Sequence, residues 1–378
     1  MMNYSTKNTQ NTKKTQKPYD NKDWTSKKNR SILLAESYQR LGYYKKSIRT
    51  KECGNYLEYI KNPKTKDTKI HKAMLCRDRF CPVCSWRKTI KQTTELNSMI
   101  DFMDTDNNRY LFMTLTGGKR VFGDTEAEAI QAIKDRIDLL NKAFAKLMKR
   151  KQIKNSILGY YRSLEMPVDK EQYITSKIYN KLDNKKGLKI GDINPNYLSY
   201  HPHFHIIWSV KEEYFSKNND LYITDKQWGN LWAECLNIGF TPIIDIRAIK
   251  TDKNNKNNDD LRGGIKEVTK YAVKDTDYII KSDPALTDKL VCILNEALKG
   301  KRTISLGGNF KKANKEIKLL IQEDENIKNN REIENGYTIE GRIDWNWNDK
   351  RYYFTSKNNR IYKKLDKKDN KTLIHKKT

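Results

Sequence analysis

The sequence predicts an α+β protein with a central antiparallel sheet of about five strands, helices packed on one face, and a small four-cysteine module. Segments that alternate apolar with other side chains, such as residues 109–118 (RYLFMTLTGG), predict strands. Longer segments with apolar residues three and four positions apart, such as residues 125–151, predict amphipathic helices between the strands. Four cysteines precede the first of these strands, so the module is expected ahead of the sheet.

The remaining elements follow from the same two patterns. In the first strand, Leu111, Met113 and Leu115 are expected to face a core, while Phe112, Thr114 and Thr116 face the other side. Further strands are predicted over residues 157–166, 200–210 and 241–249. Further helices are predicted from residue 31 onward and over residues 224–238, 265–280 and 285–298.

Composition indicates a nucleic-acid partner. The chain has 378 residues, a formal net charge of +28, 22 tyrosines and 7 tryptophans. Such a charge requires a polyanion, and aromatic residues interleaved with lysines favour nucleic acid over a membrane surface. The sequence has no apolar run of transmembrane length and no signal-peptide core at its start, which predicts a cytoplasmic protein.

The cysteines predict a metal site. Cys81 and Cys84 form a C-x-x-C pair whose turn directs two thiolates at one ion, and Cys53 and Cys76 complete a tetrahedral set. Because disulfides are not expected in the cytoplasm, structural Zn²⁺ is favoured over four unrelated buried thiols. His71 is an alternative to Cys53 in this set.

The segment YHPHFHIIWSV, residues 200–210, carries three of the five histidines in the chain. With a two-residue period, His201, His203 and His205 share one strand face, and the intervening residues point the other way. Imidazoles on one face can chelate a divalent ion. The alternative is a solvent-facing strand that carries histidines without a metal.

A carboxylate and a tyrosine complete a possible transesterification site. Glu165 on a neighbouring predicted strand adds an oxygen ligand, and mixed N/O ligation suits Mn²⁺ or Mg²⁺. Glu267, Tyr271 and Lys274 share one face of the helix predicted over residues 265–280. Taken singly, Tyr271 is most simply a helix-packing tyrosine and Glu267 a solvated helix residue. Together with a metal, the tyrosine hydroxyl can attack phosphorus.

The order of these motifs resembles the replication initiators of rolling-circle plasmids of Gram-positive bacteria, within the HUH endonuclease superfamily. The resemblance spans about residues 35–320. The matching segments are LFMTLT, HPHFHIIW, EVTKYAVKDTDY, the Cys-Gly pair at 53–54, CRDRFCPVCSWRKTIK, GYYRSLEM and GKRTISLGGNFK.

The resemblance implies a role for each residue. His203 and His205 would be metal ligands and Tyr271 the nicking nucleophile, which keeps the 5′ phosphate and leaves a 3′ hydroxyl as primer. Glu267 would act on water in a hydrolytic cleavage at termination, and Lys274 would contact the scissile phosphate or stabilise the phenolate. Glu165 as third ligand is inferred from strand order, and His201 is given a supporting position.

The expected organisation has four parts, listed here: a disordered basic N-terminus (1–30), a helical and zinc-binding module (31–100), an HUH endonuclease domain (101–320) and a charged C-terminal extension with a basic tail (321–378). The expected partners are plasmid origin DNA, as a hairpin with a single-stranded nick site, and by resemblance a host helicase and polymerase. An HUH transposase, a mobilisation relaxase and a zinc-containing DNA-binding regulator without nuclease activity remain alternatives, although relaxases often place their tyrosine ahead of the histidines.

Overall fold

The structure is a computed structural model, which describes residues 18–19, 22–65, 68–103, 109–180, 182, 185, 187–216, 220–242, 244–249, 259–270, 272–318 and 338–355. The strands are β1 (Pro18–Tyr19), β2 (Tyr56–Lys61), β3 (Thr68–Ala73), β4 (Arg109–Thr116), β5 (Ile157–Glu165), β6 (Val168–Asp169), β7 (Ser199–Tyr200), β8 (His203–Val210), β9 (Ile244–Ile249), β10 (Ile304–Gly307), β11 (Thr338–Asn346) and β12 (Arg351–Thr355). The helices are α1 (Lys22–Arg40), α2 (Tyr44–Glu52), α3 (Pro82–Met103), α4 (Glu126–Leu147), α5 (Lys151–Ser156), α6 (Ser176–Tyr179), α7 (Asp225–Leu236), α8 (Asp259–Val268), α9 (Asp275–Tyr278), α10 (Pro284–Ala297) and α11 (308–318).

The central sheet has five antiparallel strands in the order β10-β5-β8-β4-β9. The histidine strand β8 lies in the middle, and all eight of its residues are buried. Its apolar and β-branched residues suit a strand that is covered on both faces. The α+β class, the antiparallel sheet and the central position of the histidines are therefore confirmed.

Helices cover both faces of this sheet, whereas the sequence analysis expected them on one. On the face that carries Phe204, Ile206 and Trp208, which we call the apolar face, α4, α7 and α10 pack. On the opposite face, which carries His203, His205 and Ile207 and which we call the histidine face, α3, α8 and α11 pack. The helices on the histidine face were not predicted. Phe112 and Ile207 alternate with residues of the apolar face, and the alternation therefore predicted that they face away from the core.

The helix predicted over residues 265–280 is interrupted, which corrects the expectation that Glu267 and Lys274 share one helix face. Helix α8 ends at Val268, and Lys274 is the N-cap of the separate short helix α9. The carbonyl of Ala272 accepts a hydrogen bond from the Met166 backbone N–H at 2.7 Å, beside the end of β5. Buried Ala272 and Val273 join the core at this break, so burial and strand-end bonding override the helical pattern.

The chain divides into two compact units. One comprises the described residues of 30–51 and 76–327, including the central sheet; the other comprises those of 1–29, 52–75 and 328–378. The functional division into a module, an endonuclease domain and an extension stays a prediction. Among the described helices, none has the length and apolar character needed to cross a membrane.

The second unit is built on another antiparallel sheet, in the order β1-β12-β11-β2-β3. Residues 22–30 were expected to be disordered, but they form the first turns of α1. Within this unit Trp24 is buried, and the fully buried Lys28 ammonium donates to the Cys53 carbonyl at 2.8 Å and to Asn55 Oδ1 at 2.7 Å. A buried cation with these partners orders a segment whose composition alone indicates disorder.

Candidate functional site

Three side chains converge on the histidine face. The register places His203 of β8 directly opposite Glu165, the last residue of β5. His205 Nε2 lies 2.7 Å from Glu165 Oε2 and 3.1 Å from His203 Nε2, and His203 Nε2 lies 3.8 Å from the same carboxylate oxygen. All three residues are 7–8% exposed, and their nearest donor atoms lie within 4.8 Å of one another.

The second nitrogen of each imidazole is held by a neighbouring group. His203 Nδ1 donates to the His201 carbonyl at 2.8 Å, and His205 Nδ1 pairs with the Thr114 hydroxyl at 3.0 Å. Partners of this kind fix ring orientation and tautomer in metal sites, because the opposite nitrogen is then directed at the ion. Two imidazole nitrogens and a carboxylate oxygen therefore form a donor set that fits a divalent cation.

The surroundings of Glu165 shift the pKa of its carboxyl. Burial on its own would raise the pKa of the Glu165 carboxyl, but hydrogen bonds and positive charge from His203 and His205 hold that pKa well below its usual range. Its other oxygen, Oε1, lies 3.7 Å from the Lys274 ammonium, which is about half exposed. Lys274 is thus brought to the edge of the three-residue group, although it does not share a helix with Glu267.

The structure describes Glu267, whereas Tyr271 lies outside the described residues. Glu267 lies on α8 in an ion pair with Lys270 and lines a cleft on the histidine face. Tyr271 lies outside the described residues, so its role as nucleophile stays a prediction. Tyr278, the next tyrosine of the same motif, is 1% exposed, and its hydroxyl donates to the Phe80 carbonyl. This burial makes Tyr278 unsuitable as a nucleophile toward DNA.

Three thiol groups of the predicted cysteine set form a cluster within the unit that contains the central sheet. Ligand atoms of Cys76, Cys81 and Cys84 lie within 4.8 Å of one another. Cys53 and its alternative His71 belong to the other unit, so the fourth ligand stays a prediction. Cys76 Sγ and Cys84 Sγ are 3.7 Å apart. Zn–S bonds of roughly 2.3 Å in a tetrahedron place sulfurs roughly 3.8 Å apart, so this spacing fits a shared metal ion. Cys84 Sγ also accepts the Arg77 backbone N–H at 3.2 Å.

Two residues beside the three-residue group were not among the predicted site residues. The Phe112 ring stacks on the His205 ring with centroids 5.5 Å apart, and the Arg247 guanidinium lies 4.9 Å from the Phe112 centroid. Strand alternation places Phe112 and Thr114 on the histidine face, which is a signal the sequence contains. The pairing of Phe112 with Arg247 depends on the β4–β9 register, which the sequence does not reveal.

Comparison with known proteins identifies the family. The model of a family described as replication protein matches residues 67–354. A protein named "Protein rep" from Bacillus amyloliquefaciens is 32% identical over 320 residues, which cover 79% of this chain and 83% of that protein. Proteins of the same name from Streptococcus pneumoniae serotype 2 and Staphylococcus aureus are 27% and 28% identical over 79% and 71% of this chain, and over 80% and 99% of their own lengths.

No solved structure gives a significant match. The family match covers well over half of the chain and includes β4, β5, β8 and the segment that contains Glu267, Tyr271 and Lys274. It therefore covers every motif on which the resemblance to replication initiators of Gram-positive rolling-circle plasmids was based, except the Cys-Gly pair at 53–54. The chain belongs to this family of replication proteins.

Proposed function

We propose that this protein starts rolling-circle replication of a plasmid by nicking one strand of the origin DNA. The Tyr271 hydroxyl attacks the scissile phosphorus, forms a phosphotyrosine with the 5′ side of the cut, and releases the 3′ oxygen as the primer hydroxyl. The phenolic proton is lost from Tyr271 and the leaving 3′ oxygen gains one, so the step is a transesterification without an external reagent. The strand is rejoined by the reverse transfer.

The observation that carries this proposal is the convergence of Glu165, His203 and His205 in a member of a replication protein family. A bound Mn²⁺ or Mg²⁺ would supply positive charge that polarises the scissile phosphate. The chain itself contributes rigid placement, because both imidazoles lie on a fully buried central strand and are held at their second nitrogens. The backbone of Ala272, which belongs to the tyrosine motif, is hydrogen-bonded to Met166, which follows Glu165, so the described part of this motif lies beside the end of β5.

Lys274 and Glu267 take the roles that the resemblance implies. The Lys274 ammonium contacts the scissile phosphate or stabilises the Tyr271 phenolate, and its distance of 3.7 Å from Glu165 supports this role. Glu267 accepts a proton from water in a hydrolytic cleavage at termination, which releases the protein from DNA. We expect Glu267→Ala to leave nicking intact and to abolish strand release, measured as the accumulation of protein–DNA adduct; unchanged release would remove Glu267 from this role.

The four cysteines are proposed to hold a structural Zn²⁺ ion. Their role would be to stabilise the local fold rather than to take part in chemistry, since four thiolates leave no open coordination position. Removal of the metal with a chelator should unfold this part of the protein and lower its helical circular dichroism signal. An unchanged spectrum after complete metal removal, checked by elemental analysis, would contradict the assignment.

The substrate is proposed to be an origin hairpin with an exposed single-stranded loop. Unpaired bases can stack on Tyr and Trp rings, while the net charge of +28 attracts the phosphate backbone. A host helicase that opens the duplex and a host polymerase that extends the 3′ hydroxyl are partners implied by resemblance. The basic tail within residues 321–378 would add further phosphate contacts.

The decisive experiment is incubation with single-stranded origin DNA and Mn²⁺, followed by mass mapping of covalent adducts. An adduct on Tyr271 that is absent in Tyr271→Phe would establish the nucleophile and the reaction together. An adduct on another tyrosine would support the proposed reaction but would show that Tyr271 is not the nucleophile. Tight DNA binding without adduct or cleavage would favour the non-catalytic regulator, and activity on a transposon end or transfer origin would favour a transposase or relaxase.

A further inference from the structure

We infer that a cleft between β4, β9 and α8 binds the base of one nucleotide next to the scissile phosphate, and that Arg247 is the stacking platform for that base. This inference rests on the proposed function, because it assigns part of the substrate to a site beside the same three-residue group. It adds a residue that would determine affinity and sequence preference, and it does not involve the metal ligands or Tyr271.

The cleft has the size and the position required. It has a volume of about 590 Å³ and is lined by Phe112, Arg247, Ala248, Ile249, Gly263, Gly264 and Glu267. This volume lies in the range of about 300–1,000 Å³ that is typical of small-ligand sites. One wall leads through Phe112 to the ligand His205, and the other carries Glu267, so a nucleotide here would adjoin the reacting phosphate.

The Arg247 guanidinium contacts two neighbouring side chains. Its guanidinium lies over the Phe112 ring at 4.9 Å from the centroid, and one of its N–H groups donates to Asp245 Oδ2 at 2.8 Å. Phe112 is in turn stacked on His205 with an interplanar angle of 28°. The Arg247 side chain remains 64% exposed despite both contacts. A guanidinium that lies over an aromatic ring in a side chain that is mostly exposed is a suitable platform for an unpaired base.

Two consecutive glycines in helix α8 keep the opposite wall open. Glycine weakens a helix interior relative to alanine, so a pair of glycines there calls for a reason. A Cβ at Gly264 would lie 3.3 Å from the Ile249 side chain and 3.6 Å from Phe112, so close packing explains this position. Among the described residues, a Cβ at Gly263 would meet no atom within 4 Å, and Gly263 lines the cleft. Packing within the described residues therefore does not require glycine at 263, and the missing side chain leaves this part of the cleft unfilled.

The first test couples Arg247 to individual bases. Binding of fluorescent single-stranded origin oligonucleotides is measured by anisotropy, with one abasic replacement at a time on either side of the nick. We expect Arg247→Ala to weaken binding of the intact strand by about 5- to 150-fold, as is typical for loss of one stacked base. At one position, the abasic replacement should weaken binding to the wild-type protein by a similar factor. The same replacement should not further weaken binding to the Arg247→Ala protein. Independent effects at every position would overturn the inference.

Two variants separate stacking from charge. Arg150→Ala is the matched control, because Arg150 is also an exposed arginine in an ion pair, with Glu234 of α7 at 2.9 Å, among the helices of the apolar face. It should retain binding within about 2-fold, as expected for one distant surface charge. Arg247→Lys keeps the charge without the planar fork and should recover little affinity. Full recovery by lysine would show a phosphate contact and would overturn the assignment of a base.

A cleft-filling variant tests the site without removing a charge. Gly263→Leu should place a side chain in the cleft and weaken binding of the intact strand at least 5-fold, while binding of the critical abasic strand changes little. Because leucine favours a helix more than glycine does, the melting temperature should stay the same or rise. Retained binding of the intact strand by a folded Gly263→Leu protein would place the base elsewhere.

These measurements and the adduct experiment can fail separately. Anisotropy reports binding without any chemical step, so the coupling between Arg247 and one base is measurable even where Tyr271 forms no adduct. Coupling without an adduct would keep the base site and reject the nicking proposal. An adduct on Tyr271 without coupling would keep the nicking proposal and reject the base site.

Discussion

The two faces of strand β8 differ in what their side chains do, although they alternate along the same eight residues. Phe204, Ile206 and Trp208 face helices α4, α7 and α10 and are at most 2% exposed. His203 and His205 face the other way, are nearly as buried, and converge with Glu165. A period of two thus places an aromatic core and a ligand set back to back.

The comparison shows how the apolar face supports the histidine face. Trp208 stacks between Phe144 and Trp228, with both centroid distances 5.7 Å, and donates its indole N–H to Met113 Sδ at 3.3 Å. Close packing of this kind permits little displacement of the strand. The imidazoles therefore keep their spacing without relying on a metal ion, and stability and metal affinity should respond to mutations on different faces.

Truncation on the apolar face should give the largest effect. Trp208→Ala removes a fully buried ring from its stacks, and we expect the free energy of unfolding to fall by about 3–5 kcal/mol. Urea unfolding followed by circular dichroism measures this loss. A loss below 1 kcal/mol would mean that the apolar face does not anchor the strand, and the proposed division between the faces would fail.

Substitution on the histidine face should act on metal affinity instead. His203→Gln keeps a polar side chain of similar size but removes one of the two imidazoles proposed to bind the metal ion. We expect Mn²⁺ affinity to fall by more than about 100-fold, because even the outer partners of metal ligands contribute about 10- to 100-fold. Calorimetric titration measures the affinity, and metal-free urea unfolding provides the control. If the unfolding midpoint fell as far as in Trp208→Ala, the two faces would not be separable.

Much of the difference between the two faces can be predicted from the sequence. The spacing of His203 and His205, the alternation in Leu111–Thr116 and the C-x-x-C pair each encode local geometry with a fixed period or turn. Strand order added Glu165, and the structure brings the side chains of Glu165, His203 and His205 together. This convergence is predictable because it depends on neighbours within one strand or turn, or on the pairing of neighbouring strands.

The unsuccessful parts depend on contacts between distant segments. The break before Lys274 follows from the bond between Ala272 and Met166, more than 100 residues apart along the chain. The second helical layer requires knowing that α3 and α11 return to the same sheet face. The ordering of residues 22–30 depends on Lys28 reaching Cys53 and Asn55. Local periodicity carries no information about such partners.

A smaller effect on Mn²⁺ affinity is expected from Thr114, which pairs with the proposed ligand His205. Thr114→Val removes the hydroxyl that pairs with His205 Nδ1 while it keeps the shape of the side chain. Mn²⁺ affinity should fall by about 10-fold, at the lower end of the range for outer partners, because the His205 ring loses a group that fixes its orientation. Thr94→Val, which removes a hydroxyl that donates to the Ile90 carbonyl in α3, is the matched control and should leave the affinity unchanged. Equal effects of both variants would indicate a general loss of stability.

The smallest effect concerns a carboxyl group near the histidine-face ligands. Burial raises the pKa of Asp277 above its ordinary value of 3.8, and the positive charge of Lys274 offsets this only in part. A carboxyl whose pKa is raised by folding destabilises the folded state at pH values above that raised pKa, and has no such effect below about 3.8, where it is protonated in both states.

Asp277→Asn should therefore increase stability at pH 7 by on the order of 0.5 kcal/mol, and the gain should shrink as the pH is lowered toward 4. The amide keeps an oxygen for the Thr276 hydroxyl, so the substitution changes the charge with little change in bonding. Paired urea titrations at pH 7 and pH 4 measure the difference. A gain that is independent of pH would assign the effect to packing, and a loss at pH 7 would show that attraction to Lys274 outweighs the burial of this charge.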